Sequence, residues 1–231
     1  MATRPNEVWT WDVTKLPLQT RGVYLSLYVV MDLFSRYIVA WMVSRKENSA
    51  LAQQLFREAC DRYQIQSLTL HQDRGAPMIA NAYLDLLSEL AITASHSRPR
   101  VSNDNPMSES QFKTMKYQPD YPRRFQSLEH ARVWCEDYVA WYNFSHHHAG
   151  IESFTPSQVF TGQHVEIART RQEALNFSYL RHPERFVKGQ PSVKMPPATV
   201  YINPVLDLDG QPDPTATVNF PTLERVKSKL T

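Results

Sequence analysis

VWTWDVTKLPLQTRGVYLSLYVVMDLFSRYIVAWMVS, residues 8–44, carries three strand-like segments in succession. In 8–15 (VWTWDVTK) the residues alternate, with Trp9 and Trp11 on one face and Val8, Thr10 and Asp12 on the other. A period of two is the mark of a half-buried strand. Arg21-Gly22 marks a turn, and 23–33 (VYLSLYVVMDL) is dense in aromatic and β-branched residues, as a central strand is. Phe34-Ser35 turns the chain again into a third strand over 36–44. Connections this short allow only an antiparallel meander.

Working outward, the period changes. Leu51, Leu55, Ala59 and Tyr63 recur at helical spacing, so a helix is expected over about 49–63 with Asn48 or Ser49 as its cap. A strand at 67–72, a helix over about 79–90 and a strand at 92–96 follow. Helical crossovers make the last strands parallel, so the sheet is mixed and five-stranded, three strands antiparallel and two parallel, with helices on its faces. Beyond a polar loop at 97–105, helices are expected over 106–117, about 127–143, after Thr155-Pro156 and over 164–180. From Pro183 the chain is proline-rich and aperiodic, an extended arm with one short strand near 199–202. The expected divisions are a core over 1–162, a helical extension over 163–182 and the arm over 183–231.

Composition removes several classes of function. Hydrophobic residues make up 42% of the 231, enough for a core without disulfide or metal staples. No apolar run approaches the roughly 20 residues that span a bilayer, and no secretory signal is read at the N-terminus. Cys60 and Cys135 sit among apolar neighbours and read as reduced, buried thiols. The net charge of +2 is uninformative by itself. Between Arg98 and Arg124, however, Arg98, Arg100, Lys113, Lys116, Arg123 and Arg124 outnumber Asp104, Glu109 and Asp120, a modest basic patch around a few carboxylates.

Three carboxylates stand out by position. Asp12 lies inside the first strand, on a face otherwise expected to be apolar. Asp73 ends the fourth strand in HQDRG, and Glu109 sits in the first turn of the helix after the polar loop. A buried carboxylate is costly unless it is paired or bound to metal. If the fourth strand returns parallel beside the first, Asp12 and Asp73 become neighbours, and Glu109 closes the cluster from a flanking helix. Three oxygen donors suit Mg²⁺ or Mn²⁺ better than zinc. Two such ions about 4 Å apart serve phosphoryl transfer. Taken singly, an acidic residue at a strand–loop junction is also an ordinary turn former, a reading that fits Asp73 and Glu109 better than Asp12.

The set is more specific than its members. Asp12 in WTWD, Asp73 in HQDRG and the thirty-five residues between Asp73 and Glu109 resemble the Asp, Asp, thirty-five, Glu signature of retroviral integrases and related insertion-sequence transposases. YVVMDLFSRYIVAW, NDNPMSESQFKTMK and YVAWYNFSHHHAGIESFTPSQVF are similar to the insertion-sequence branch. The resemblance covers residues 6 to about 162. It implies an RNase H-like fold, catalysis by Asp12, Asp73 and Glu109 through Mg²⁺ or Mn²⁺, and DNA cleavage followed by strand transfer.

Lys113 and Lys116 follow Glu109 at four and seven residues, on one helical face. With Arg98, Arg100 and Asn105 they are the expected DNA contacts, against the plainer reading of a charged helix face. His71 is equally readable as a support for Asp73 and as a satisfied core histidine. Asn103 and Asp104 resemble residues that shape the loop before the Glu109 helix. His146, His147 and His148 lack zinc-finger spacing and read as surface or DNA contacts. Asp32 reads as a turn former. The implied partners are transposon-end and target DNA, and a second protomer at least. Family members carry a helix-turn-helix domain before the core, so end recognition is expected from a separate or missing domain. The expected location is the bacterial cytosol and nucleoid. Two other readings stay open: an inactive remnant that binds DNA or partner subunits, and an RNase H-like nuclease.

Overall fold

A computed structural model describes residues 1–73, 81–96 and 105–202. The five strands are β1 (Val8–Pro17), β2 (Tyr24–Asp32), β3 (Ile38–Ser44), β4 (Leu68–Gln72) and β5 (Ile92–His96). They lie in the order β3-β2-β1-β4-β5, with β3, β2 and β1 antiparallel and β1, β4 and β5 parallel. The expected mixed sheet is therefore observed. The helices are α1 (Ser49–Tyr63), α2 (Asn81–Glu89), α3 (Pro106–Lys116), α4 (Leu128–Phe144), α5 (Pro156–Phe160) and α6 (His164–Arg181).

Period-two alternation splits the sheet's side chains between two cores. Trp9, Trp11, Tyr28, Val30 and Leu70 pack with Phe56 of α1 and with Tyr83 and Leu87 of α2 on one face. Leu16, Leu27 and Val29 pack with Phe112 and Met115 of α3 and with Ala131, Cys135 and Tyr138 of α4 on the other. Each fully buried large apolar side chain contributes roughly 1.5–3 kcal/mol. Burial on both faces thus explains the near-continuous apolar run in β2.

Local signals set the boundaries. The Asn48 side chain accepts from Leu51 N–H to start α1, and Ser127 does the same from His130 N–H for α4. Thr155 and Gln158 form a capping box at α5, with Pro156 in its first turn. The β2–β3 turn is tied by buried Asp32, whose carboxylate accepts from Asn6 N–H (2.7 Å), Ser35 N–H (2.8 Å) and the Ser35 hydroxyl. That is the turn role read from the sequence. Asn143 of α4 then clamps the start of β3, accepting from Ile38 N–H (2.9 Å) and donating to the Ile38 carbonyl (3.0 Å).

Residues Met1–Val200 form one compact unit. Ile167 and Ala168 of α6 pack with Ile151, Phe154, Val159 and Val193. The strand read near 199–202 is reduced to a single bridge between Val200 and Ala2. Cys60 and Cys135 are buried free thiols. Among the described residues, no helix is long and apolar enough to cross a membrane.

Candidate active site

The site is built on the face of β1 that carries Thr10, Asp12 and Thr14. β1 and β4 pair in parallel at Val8–Thr69, Trp9–Leu70 and Thr10–His71. The same offset continues in side chains, since Trp11 Nε1–H donates to Gln72 Oε1 at 2.7 Å. Tyr83 donates its hydroxyl to that same oxygen at 2.7 Å. Trp11 and Gln72 are thus committed to the face covered by α1 and α2. Alternation sends Asp12 to the opposite face of β1, and Asp73 follows Gln72 at the end of β4.

Helix α3 lies along this face. At its N-terminal end the Thr10 hydroxyl donates to Asn105 Oδ1 (2.6 Å) and lies 3.2 Å from the Ser108 hydroxyl. At its C-terminal end Lys116 Nζ donates to Thr14 Oγ1 (2.7 Å). The spans agree. Thr10 to Thr14 is about 13 Å of strand, and Ser108 to Lys116 is about 12 Å of helix. The helix therefore runs beside β1 in the same direction, and Glu109 lies one residue past the Ser108 anchor, near the Thr10 end of the span. Glu109 and Lys113 are exposed on the flank of α3 next to its buried stripe of Ser108, Gln111, Phe112 and Met115.

Burial pushes the Asp12 carboxyl up from 3.8 to about 6; the bond it accepts from Val13 N–H opposes the rise, and the charges of Asp73, Glu109 and Glu47 add to it. Asp12 therefore feels both of the other carboxylates. Among the described residues, no three carboxylate, imidazole or thiol side chains are gathered closely enough to hold an ion. The three acids share a field. As a donor set they fit a hard divalent cation: all oxygen, and costly to keep charged together unless a cation neutralises them.

Other expected residues have different placements. His71 lies on the Asp12 face, 6% exposed, with Nδ1 3.1 Å from the Ser95 hydroxyl of β5. Asn105 is 7% exposed, and its amide donates to the Trp11 carbonyl (3.3 Å). Arg98, Arg100, Asn103 and Asp104 lie outside the described residues. The three histidines do separate things. The His146 ring packs on Trp141 (4.9 Å) and Tyr142 (5.3 Å). His148 Nδ1 accepts from Gly150 N–H (3.0 Å), and burial, helped by Arg36 and His146, pushes its pKa down to about 4. His147 is exposed. Thr10, Thr14 and Ser108 were not singled out from the sequence. The signal available was period two, since Thr10 and Thr14 flank Asp12 on its own strand face.

An RNase H-like sheet of this order is the fold of integrase and transposase catalytic cores. The bovine immunodeficiency virus integrase catalytic core superposes with a TM-score of 0.51 at 18% identity, over 70% of this chain and 99% of that one. The HTLV-2 integrase catalytic core, solved in complex with magnesium, superposes at 0.50 and 17% identity, over 69% and 99%. These two show the fold alone.

The chain belongs to the integrase core domain family of DDE-type transposases and integrases, with residues 2–102 and 90–156 matching two models of that description. The transposase for insertion sequence element IS904 of Lactococcus lactis is 31% identical over 157 residues, 67% of this chain and 61% of that protein. The putative transposase InsK for IS150 of Escherichia coli is 28% identical over 156 residues, 67% and 54%. The match thus spans between about half and two-thirds of these two relatives.

Proposed function

We propose that this chain is the catalytic core of an insertion-sequence transposase that cuts DNA and transfers the cut strand. What supports the reading is that Asp12 on β1, Asp73 just after the adjacent parallel β4 and Glu109 on the helix laid along β1 come near enough for the charges of the latter two to raise the Asp12 carboxyl. Asp12, Asp73 and Glu109 would hold Mg²⁺ or Mn²⁺, as a pair of ions. Once bound, the cations would neutralise charge on the phosphoryl oxygens and make the attacking hydroxyl more acidic. Lys113 and Lys116 hold backbone phosphates beside the carboxylates, and Arg98 and Arg100 extend that contact; such contacts position DNA without reading its sequence.

In the first step a water oxygen bonds to phosphorus at the transposon end and the bond to the 3′ oxygen breaks, leaving a 3′-OH. In the second step that 3′-OH attacks a phosphodiester of target DNA and displaces the target's own 3′ oxygen. One phosphodiester forms as another breaks, so no nucleotide hydrolysis is needed. The protein's part is positioning and charge neutralisation. Joining two ends calls for at least two protomers, and the ends are recognised by a helix-turn-helix domain outside the core.

The test is nicking and disintegration of branched DNA, which bypasses end recognition. Activity with Mg²⁺ or Mn²⁺ that is lost in Glu109→Gln, with DNA binding kept, is the expected result. Cleavage of RNA–DNA hybrids but not of DNA would instead make the chain a nuclease. DNA binding without cleavage under any divalent metal would make it a non-catalytic binder.

A further inference from the structure

We infer that Asn105 is a positioning residue, which fixes the Glu109 helix at the point where the Asp12 and Asp73 strands part. The inference rests on the proposed catalytic reading and assigns Asn105 a task other than touching DNA.

Asn105 stands immediately before α3, where asparagine ordinarily caps the helix by accepting from a first-turn amide. Here it makes no such bond. Its side chain is spent on β1 instead. Oδ1 accepts from the Thr10 hydroxyl (2.6 Å) and Nδ2 donates to the Trp11 carbonyl (3.3 Å), the two residues just before Asp12. Because the single proton of the Thr10 hydroxyl goes to Asn105, the Ser108 hydroxyl at 3.2 Å is the donor to Thr10. Thr10 is 0%, Ser108 5% and Asn105 7% exposed, so water cannot replace these bonds cheaply.

The direction of the Trp11 carbonyl says where Asn105 sits. The Glu7 carbonyl accepts from Thr69 N–H (3.0 Å), so it points towards β4. Alternate carbonyls of a strand point the same way, hence those of Trp9 and Trp11 also face β4. The β1–β4 ladder ends at the Thr10–His71 pair, and one step beyond it the Asn105 amide takes the Trp11 carbonyl. Its main-chain oxygen meanwhile accepts from Glu109 N–H (3.2 Å). One residue thus ties the backbone beside Asp12 to the backbone of Glu109, on the side where Asp73 leaves β4. Outer residues that orient ligands typically govern metal affinity by about 10–100-fold.

The experiment compares the full chain with Asn105→Ala, Thr10→Val and Thr10→Ser. Mn²⁺ binding is read by calorimetry without DNA, and branched-DNA affinity is read without divalent metal. The Mg²⁺ dependence of nicking is a third readout, and melting temperature is a control. Asn105→Ala and Thr10→Val are expected to weaken Mn²⁺ binding about tenfold or more and to raise the Mg²⁺ needed for half-maximal nicking in step. DNA affinity should stay within about twofold of wild type, and Thr10→Ser, which keeps the hydroxyl, should behave as wild type. Should Asn105→Ala fail to fold, Thr10→Val cuts the same bond from the other side. Unchanged Mn²⁺ affinity in Thr10→Val, or a fall in DNA affinity alone in Asn105→Ala, overturns the inference while leaving the catalytic reading intact. A wild-type chain that neither binds Mn²⁺ nor nicks DNA overturns both.

Discussion

Lys116 Nζ donates to the hydroxyl of Thr14 at 2.7 Å, so a lysine expected at the DNA is tied to the strand that carries Asp12. The bond holds the ammonium at the edge of the carboxylate face without cancelling its charge. If Lys113 and Lys116 each neutralise a phosphate, replacing either by alanine should weaken DNA binding and flatten the log affinity against log salt plot by about one counterion. Thr14→Val removes the acceptor but keeps the charge, so its slope should match wild type. Fluorescence anisotropy over about 50 to 200 mM salt reads this; a Lys116→Ala slope equal to wild type would remove Lys116 from the DNA.

The raised Asp12 carboxyl makes a prediction about pH. Its folded value of about 6 lies above the ordinary 3.8, so the folded protein binds the extra proton between those values. The favourable contribution is complete below about 3.8 and is lost as pH rises through about 6. Asp12→Asn removes this dependence. In metal-free buffer the variant should gain stability over wild type across that window, by about 3 kcal/mol at neutral pH. Millimolar Mg²⁺ should narrow the gap. Denaturant melts from pH 4 to 7.5 measure it, and a gap that does not change with pH contradicts the cause assigned here.

Asn143 satisfies both main-chain groups of Ile38, and at 3% exposure it has no solvent to replace it. Asn143→Ala leaves a buried N–H and a buried C=O unpaired. A loss of about 2–6 kcal/mol is expected in urea unfolding, at about 1–3 per orphaned group. A loss under about 0.5 kcal/mol would mean that β3 needs no clamp.

Burial pushes the Cys60 thiol up to about 11 and the Cys135 thiol up to about 12. Only the thiolate reacts, so neither should react with a disulfide reagent at neutral pH until the chain unfolds. Prompt labelling of the native protein would show that one of the two cores opens readily.

The legible part of the fold was the part written locally. Alternation around Trp9 and Trp11 and helical spacing from Leu51 to Tyr63 place β1 and α1 within a residue or two. The family was legible because chemistry repeats residue types at fixed intervals, as in the stretch from Asp73 to Glu109. What Asn105, Lys116 and His148 touch was not legible. Asn105 meets Thr10 across 95 residues and Lys116 meets Thr14 across 102, distances over which no period carries information. An asparagine before a helix and a lysine after a glutamate have local readings as a cap and as a charged face, and those readings compete with the tertiary ones.

The sequence alone determined which residues form strands and helices and in what order, and it singled out Asp12, Asp73 and Glu109 as a candidate set by their spacing, because hydrophobic period and motif spacing are properties of neighbouring residues. Only the tertiary structure decided that β4 lies beside β1 in a register that pairs Thr10 with His71, each two residues before an aspartate. It also decided that α3 is pinned to β1 at both ends, and that Asp12 is buried enough to hold its proton near pH 6. Register, burial and field depend on what packs against a residue from far along the chain, and those neighbours exist only once the sheet has closed.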